Sequence, residues 1–293
     1  MLIIISALVV GCKSGEKGEK EPEFDVDMQE IDQSLFDNIN QAKRVFYSMP
    51  SPLETAMLVR SAGAIYNEDL LNSLDNVGNY TTNRSMALNL GIYTCDLSFA
   101  SLYDQTQTSI SYLSAAKKMA DGLGILDAIN EETLERLEEN VNNREVIMDI
   151  ISETFMNSSA YLQENNRQAL SSIVLVGGWV EGLYLAIKLV DQDSFEGNKL
   201  VDRIVDQKLS LNIVMKLLED HKNNPDVADI INDMNQLKAI YDKISITTSE
   251  IKTSFDEETQ ITTLESTTKN NFTLEIFIEL STKVESLRET YIL

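Results

Sequence analysis

Two carboxylates stand inside otherwise apolar stretches of this chain. Asp96 lies in Tyr93-Thr-Cys-Asp-Leu-Ser-Phe99, and Glu181 in Trp179-Val-Glu-Gly-Leu-Tyr184. A carboxylate on a buried face costs several kcal/mol unless it is paired or coordinated. Each must therefore point to solvent, meet a Lys or Arg, accept backbone hydrogen bonds, or serve a site. Aimed into one cleft, the two would bind a metal or act as general acid and base. Tyr93, Tyr103, Trp179 and Tyr184 would join Asp96 and Glu181 in lining a groove between the two helices, a candidate ligand site. An apolar cleft there with converging polar groups favours ligand binding, whereas a filled core points to a partner surface elsewhere.

Other candidates are weaker. Asp191-Gln-Asp-Ser-Phe-Glu-Gly-Asn-Lys-Leu-Val-Asp202 has acids at the first, third and last positions of a calcium loop. Phe195 replaces a ligand, however, the glycine comes one residue late and the last acid is Asp, so the segment reads as a solvated turn. The single histidine, His221, stands between Asp220 and Lys222 near a helix end and suits a dipole interaction there. One histidine rules out multi-histidine zinc sites. Cys95, on an apolar stretch, reads as an inert core thiol. There is no Walker loop, no GxGxxG opening a helix, no HExxH and no GxSxG. No cofactor, metal site or catalytic residue is assigned from the sequence.

The N-terminus carries the clearest signal. Met1-Leu-Ile-Ile-Ile-Ser-Ala-Leu-Val-Val-Gly11 is apolar and ends at Cys12. The run is shorter than the roughly 20 residues a bilayer span needs, but it suits a signal-peptide core. Val9-Val10-Gly11-Cys12 resembles the bacterial lipobox, which implies cleavage before Cys12 and lipidation of that residue. Val9 holds a position more often Leu, with Leu8 one place back. No Lys or Arg precedes the run, so either the true start codon lies upstream or the run is a fragment. The charged stretch from Lys13 to Glu23 lacks large apolar residues and reads as part of a flexible tether over 12–27.

These residues need elements to place them. Over 293 residues there are 4 prolines and 12 glycines, with a hydrophobic fraction of 43%, which favours long helices around a real core. The chain reads as all-α: antiparallel helix pairs forming a helical bundle or a TPR-like array, with the helical domain covering 28–293. Expected helices run over 28–49 and 53–66, a short one over 67–75, and then, after a turn at 76–80, over 82–104, 106–123, 131–140, 144–164, 165–190, 195–221, 224–244 and 273–291. Gly122 and Gly124 are placed for left-handed caps. The Thr/Ser-rich stretch 246–271 has no helical period and reads as a loop with room for a short hairpin. One echo is present: Gly91-Ile-Tyr-Thr-Cys-Asp-Leu-Ser-Phe-Ala100 lines up with Gly177-Gly-Trp-Val-Glu-Gly-Leu-Tyr-Leu-Ala186. Duplication and chance likeness of two apolar helices both account for it.

With 24 basic and 47 acidic residues the formal charge is −23. Nucleic acid is excluded as a partner, because its binding relies on Lys and Arg releasing phosphate counterions. Anionic lipid head groups repel such a chain too, so any membrane attachment must come from the lipid.

The lipobox, together with Arg44-Val-Phe-Tyr-Ser-Met-Pro-Ser-Pro-Leu-Glu-Thr-Ala56, Asn89-Leu-Gly-Ile-Tyr-Thr-Cys-Asp-Leu-Ser-Phe-Ala100 and Gly178-Trp-Val-Glu-Gly-Leu-Tyr184, resembles uncharacterised helical lipoproteins of Bacteroidota. The resemblance covers most of the mature chain. It implies a cell-envelope location, with the outer membrane as the seat, and a helical fold, but it transfers no active site. Lys13-Ser-Gly-Glu16 loosely resembles the acidic export signal of that phylum, which leaves the periplasmic and surface faces both open. The function expected is a lipid-anchored, non-enzymatic helical module binding an envelope protein or a small ligand. The alternatives are a hydrolase or metal-dependent enzyme using Asp96 and Glu181, and a structural component of an envelope complex.

Overall fold

The structure, a computed structural model, describes residues 57, 59–61, 63–126, 131–140, 143–248, 252–256, 261–265 and 268–293. All lie in the unit Ala42–Leu293. Cys12 and the signal peptide, tether and 28–49 helix expected from the sequence lie outside the described residues. So does most of the helix expected over 53–66; its end is visible and comes early, in a turn at Gly63, where φ is +89°.

Among the described residues the fold is all-α, with eight helices: α1 (Asn83–Leu102), α2 (Thr106–Gly122), α3 (Glu131–Glu139), α4 (Arg144–Glu164), α5 (Gln168–Lys188), α6 (Lys199–Glu219), α7 (Pro225–Tyr241) and α8 (Leu274–Ile292). Local chemistry sets many of the starts. The Thr82 side chain accepts from the Ser85 backbone N–H, while the Ser85 hydroxyl accepts from the Thr82 N–H, closing a capping box on α1. Asn198 caps α6, Asn224 caps α7 ahead of Pro225, and Thr273 caps α8. Of the two glycines expected as left-handed caps, only Gly124 is one, with φ +65°; Gly122 is the last residue of α2.

Two stretches differ from expectation. Residues 67–80 form two 3-10 turns, Glu68–Leu70 and Leu74–Gly78, rather than a helix followed by a turn. Asn67 and Ser73 each cap the N–H two residues on, which favours tight turns over a continuous helix. The stretch 246–271 is not a plain loop. It holds β1 (Ile246–Thr248) paired antiparallel with β4 (Thr268–Asn270), and β2 (Lys252–Asp256) with β3 (Ile261–Glu265). Its β-branched residues favour extended backbone. The base is clamped by Asn271, whose N–H donates to the Ser245 carbonyl and whose Oδ1 accepts from the Ser245 N–H.

Helices distant in sequence make the core. The most intimate pairing is α1 with α5; α2 flanks α1, while α6 and α8 flank α5 and α7 packs between those two. This is a bundle about a central pair, not the sequential stacking of a TPR-like array. The echo noted in the sequence is the crossing itself. A Cβ on Gly91 would lie 2.0 Å from the Val174 carbonyl oxygen, and one on Gly177 would lie 2.0 Å from that of Leu88. Leu88 precedes Gly91 by the same three residues that separate Val174 from Gly177, so each helix presents the same step to the other and the contact has a local pseudo-two-fold symmetry. Helix α5 is long and apolar enough to cross a membrane, yet its apolar window is 83% buried inside the domain.

Candidate functional site

Between the two 3-10 turns the chain passes through the core without regular structure: Leu71 and Asn72 are buried. Backbone polar groups there have no helical partners and must be met by side chains. The Asn72 N–H donates to Asp96 Oδ2 at 3.1 Å. The Asn72 carbonyl accepts from the Tyr112 hydroxyl at 2.8 Å, and the Ser73 carbonyl from the Tyr93 hydroxyl at 3.0 Å. The Leu70 carbonyl accepts from Arg288 Nη2 at 2.9 Å. The Asn72 side chain donates to Tyr80 and Asn89, and Asn89 and Tyr80 in turn donate to the carbonyls of Tyr291 and Ile292 at the end of α8. These residues therefore tie α1, α2 and α8 to one irregular segment.

Glu181 enters from α5. Arg288 grips it with two parallel bonds, Nε to Oε2 at 2.6 Å and Nη2 to Oε1 at 2.8 Å, and both side chains are buried. Asp96 and Glu181 are fully buried and close enough for the charge of one to act on the other. Burial first, and the Glu181 charge second, push the Asp96 carboxyl well above the usual carboxylate range, against Arg288 and the Asn72 N–H. Burial alone would lower Arg288, but Glu181 and Asp96 more than offset it and hold the guanidinium above its ordinary value. Asp96 Oδ1 is buried without a hydrogen-bond partner. Burial, then Asp96 and Glu181, also push the Cys95 thiol up, as suits an inert core cysteine.

The structure brings Asp96 and Glu181 together but does not gather the six expected residues round one groove. Tyr93 is fully buried against Tyr80 and Tyr112. Trp179 is buried, its indole donating to Gln207 of α6 at 2.9 Å. Tyr103 belongs to a separate aromatic cluster with Tyr66 and Phe99, under Arg60. Tyr184, half-buried, lies against the Arg288 guanidinium at 4.1 Å. The space between α1 and α5 is filled core, and a pair that activates water or substrate needs access that neither carboxylate has. Among the described residues, no three His, Cys, Asp or Glu side chains gather as a metal site. Asp191 instead accepts from the Asp193 N–H and the Ser194 hydroxyl, and Phe195 packs tilted against Phe272 and edge-on to Phe277. His221 follows the end of α6.

Sequence reasoning missed Arg288, Asn72 and Asn89. The signal for Arg288 was present: it stands four residues after Val284 and three before Tyr291, on the apolar stripe of α8.

A second site opens on the other side of α1. An apolar cavity of about 70 Å³ is enclosed by Leu90 and Leu97 of α1, Val174 of α5, Ile151 and Leu162 of α4, and Leu137 of α3. Its few polar contributors include Thr94, Lys117, Thr154, Ser158 and Ser171. The Thr94 hydroxyl donates to its own helix at Leu90, whereas Thr154 Oγ1 is buried without a partner. Lys117 is exposed and marks where the cavity meets solvent. Comparison of the chain with protein-family models, curated proteins and solved structures finds no match.

Proposed function

We propose that this chain is a lipid-anchored cell-envelope protein whose helical domain is a non-enzymatic binding module, taking a small apolar or amphiphilic ligand in the cavity bounded by α1, α2, α4 and α5. The anchor reading is supported by Val9-Val10-Gly11-Cys12 and by the charged, apolar-poor stretch behind it. The likeness to Bacteroidota lipoproteins favours the outer membrane. The observation that carries the binding reading is the cavity: concave, apolar, solvent-connected and furnished with a few hydroxyls and one cation. The cluster around Asp96 and Glu181, by contrast, has a structural task for nearly every polar atom.

The test uses the full chain made in a Bacteroidota host. Intact mass should report cleavage before Cys12 with added acyl chains, and Cys12→Ala should move the protein from the membrane to the soluble fraction. Native mass spectrometry of the detergent-purified protein should report a retained small molecule, lost in Ser158→Trp. An unmodified, uncleaved N-terminus would end the envelope assignment. Absence of any bound molecule, with none taken up from an envelope lipid extract, would end the binding reading.

A further inference from the structure

The cavity wall is apolar, so the part of a ligand inside it is aliphatic. A cavity of about 70 Å³ holds roughly five water-sized groups, enough for a short tail but not for a folded metabolite. Lys117 stands at its opening and forms no ion pair with any described carboxylate, although acidic residues outnumber basic ones nearly two to one in this chain. An ammonium kept free beside an apolar hole is matched by an anionic head on an apolar tail. The Thr154 hydroxyl, buried and unpartnered, adds a donor in the same wall.

We infer that the cavity selects a monoanionic amphiphile of the fatty-acid class, its tail inserted between α1 and α4 and its carboxylate paired with Lys117. This rests on the binding reading above and adds the head-group chemistry to it. The net negative charge opposes an anion at long range, but that field decays over about 8 Å at physiological salt; the Lys117 contact acts at hydrogen-bonding distance. Selectivity is therefore expected to depend on this one side chain.

The experiment titrates the full chain carrying Cys12→Ala with octanoate, 1-octanol and octylammonium, followed by ligand-observed NMR and calorimetry. Octanoate should bind roughly two- to fivefold more tightly than octanol, the range for one exposed ion pair, and octylammonium most weakly. Lys117→Gln should bring octanoate down to the octanol level while leaving octanol unchanged, and Lys117→Glu should reverse the order of octanoate and octylammonium. Lys117 is exposed, so these variants keep the fold; Ser158→Trp should block all three ligands. Equal binding of octanoate and octanol, insensitive to Lys117 but lost in Ser158→Trp, would overturn the head-group assignment and leave the apolar site standing. No binding of any of the three would overturn both.

Discussion

One guanidinium faces two carboxylates in a buried core, so full ionisation would leave a net negative charge with no counter-charge beside it. A proton on Asp96 removes that charge. Because the folded state holds this carboxyl above its unfolded value, the stability it confers is complete below the ordinary carboxylate range and is lost as pH rises through the raised folded value. Over that interval the wild type should lose up to about 1.4 kcal/mol per pH unit. Asp96→Asn keeps a neutral, isosteric donor at every pH. It should be more stable than wild type above neutrality and flatten the pH profile, as read by urea unfolding across pH 5 to 9. An unchanged slope would place the proton elsewhere. Arg288→Met is expected to act in the opposite sense, leaving Glu181 buried without its partner and the Leu70 carbonyl unmet. A loss of about 3–5 kcal/mol in the same unfolding assay is expected, with Arg288→Lys recovering only part, since an ammonium cannot make the bidentate pair.

At the scale of elements, the α1–α5 crossing is the most demanding contact. Gly91→Ala and Gly177→Ala each drive a methyl into a backbone carbonyl of the facing helix. Neither side can yield without separating the central pair, and each should cost about 3 kcal/mol or more. Gly122→Ala is the control. There the added carbon meets only the flexible Met86 side chain, its sulfur nearest, which can swing aside, so the change should be nearly neutral in thermal unfolding. The echo between the two segments was visible in the sequence, but its meaning was not: which helix faces which depends on how the chain returns, and periodicity carries no record of that. Helix existence was legible from apolar spacing and caps, as with Thr82, Asn224 and Thr273. The 246–271 stretch was harder, because short Thr-rich strands owe their pairing to a partner rather than to a period of their own.

For the molecule as a whole, a formal charge of −23 sets a self-repulsion that salt relieves. The melting temperature should rise between low and physiological ionic strength, since surface charges farther apart than a Debye length stop interacting; a fall would mean that ion pairs such as Arg84–Asp229 and Lys243–Glu279 contribute more than repulsion costs. By itself the sequence determined the all-helical class, several of the helix starts, the strong acidity, and the expectation of a lipidated Cys12, because each depends on local composition or short-range spacing. It also singled out Asp96 and Glu181 as anomalous. Only the tertiary structure decided what they do: it buried both in one charged cluster, set Arg288 from the far end of the chain between Glu181 and Leu70, and turned a suspected groove into packed core while opening an apolar cavity elsewhere along α1. Contacts made across 107 and 218 residues are set by how helices pack together, and no local pattern of residues encodes them.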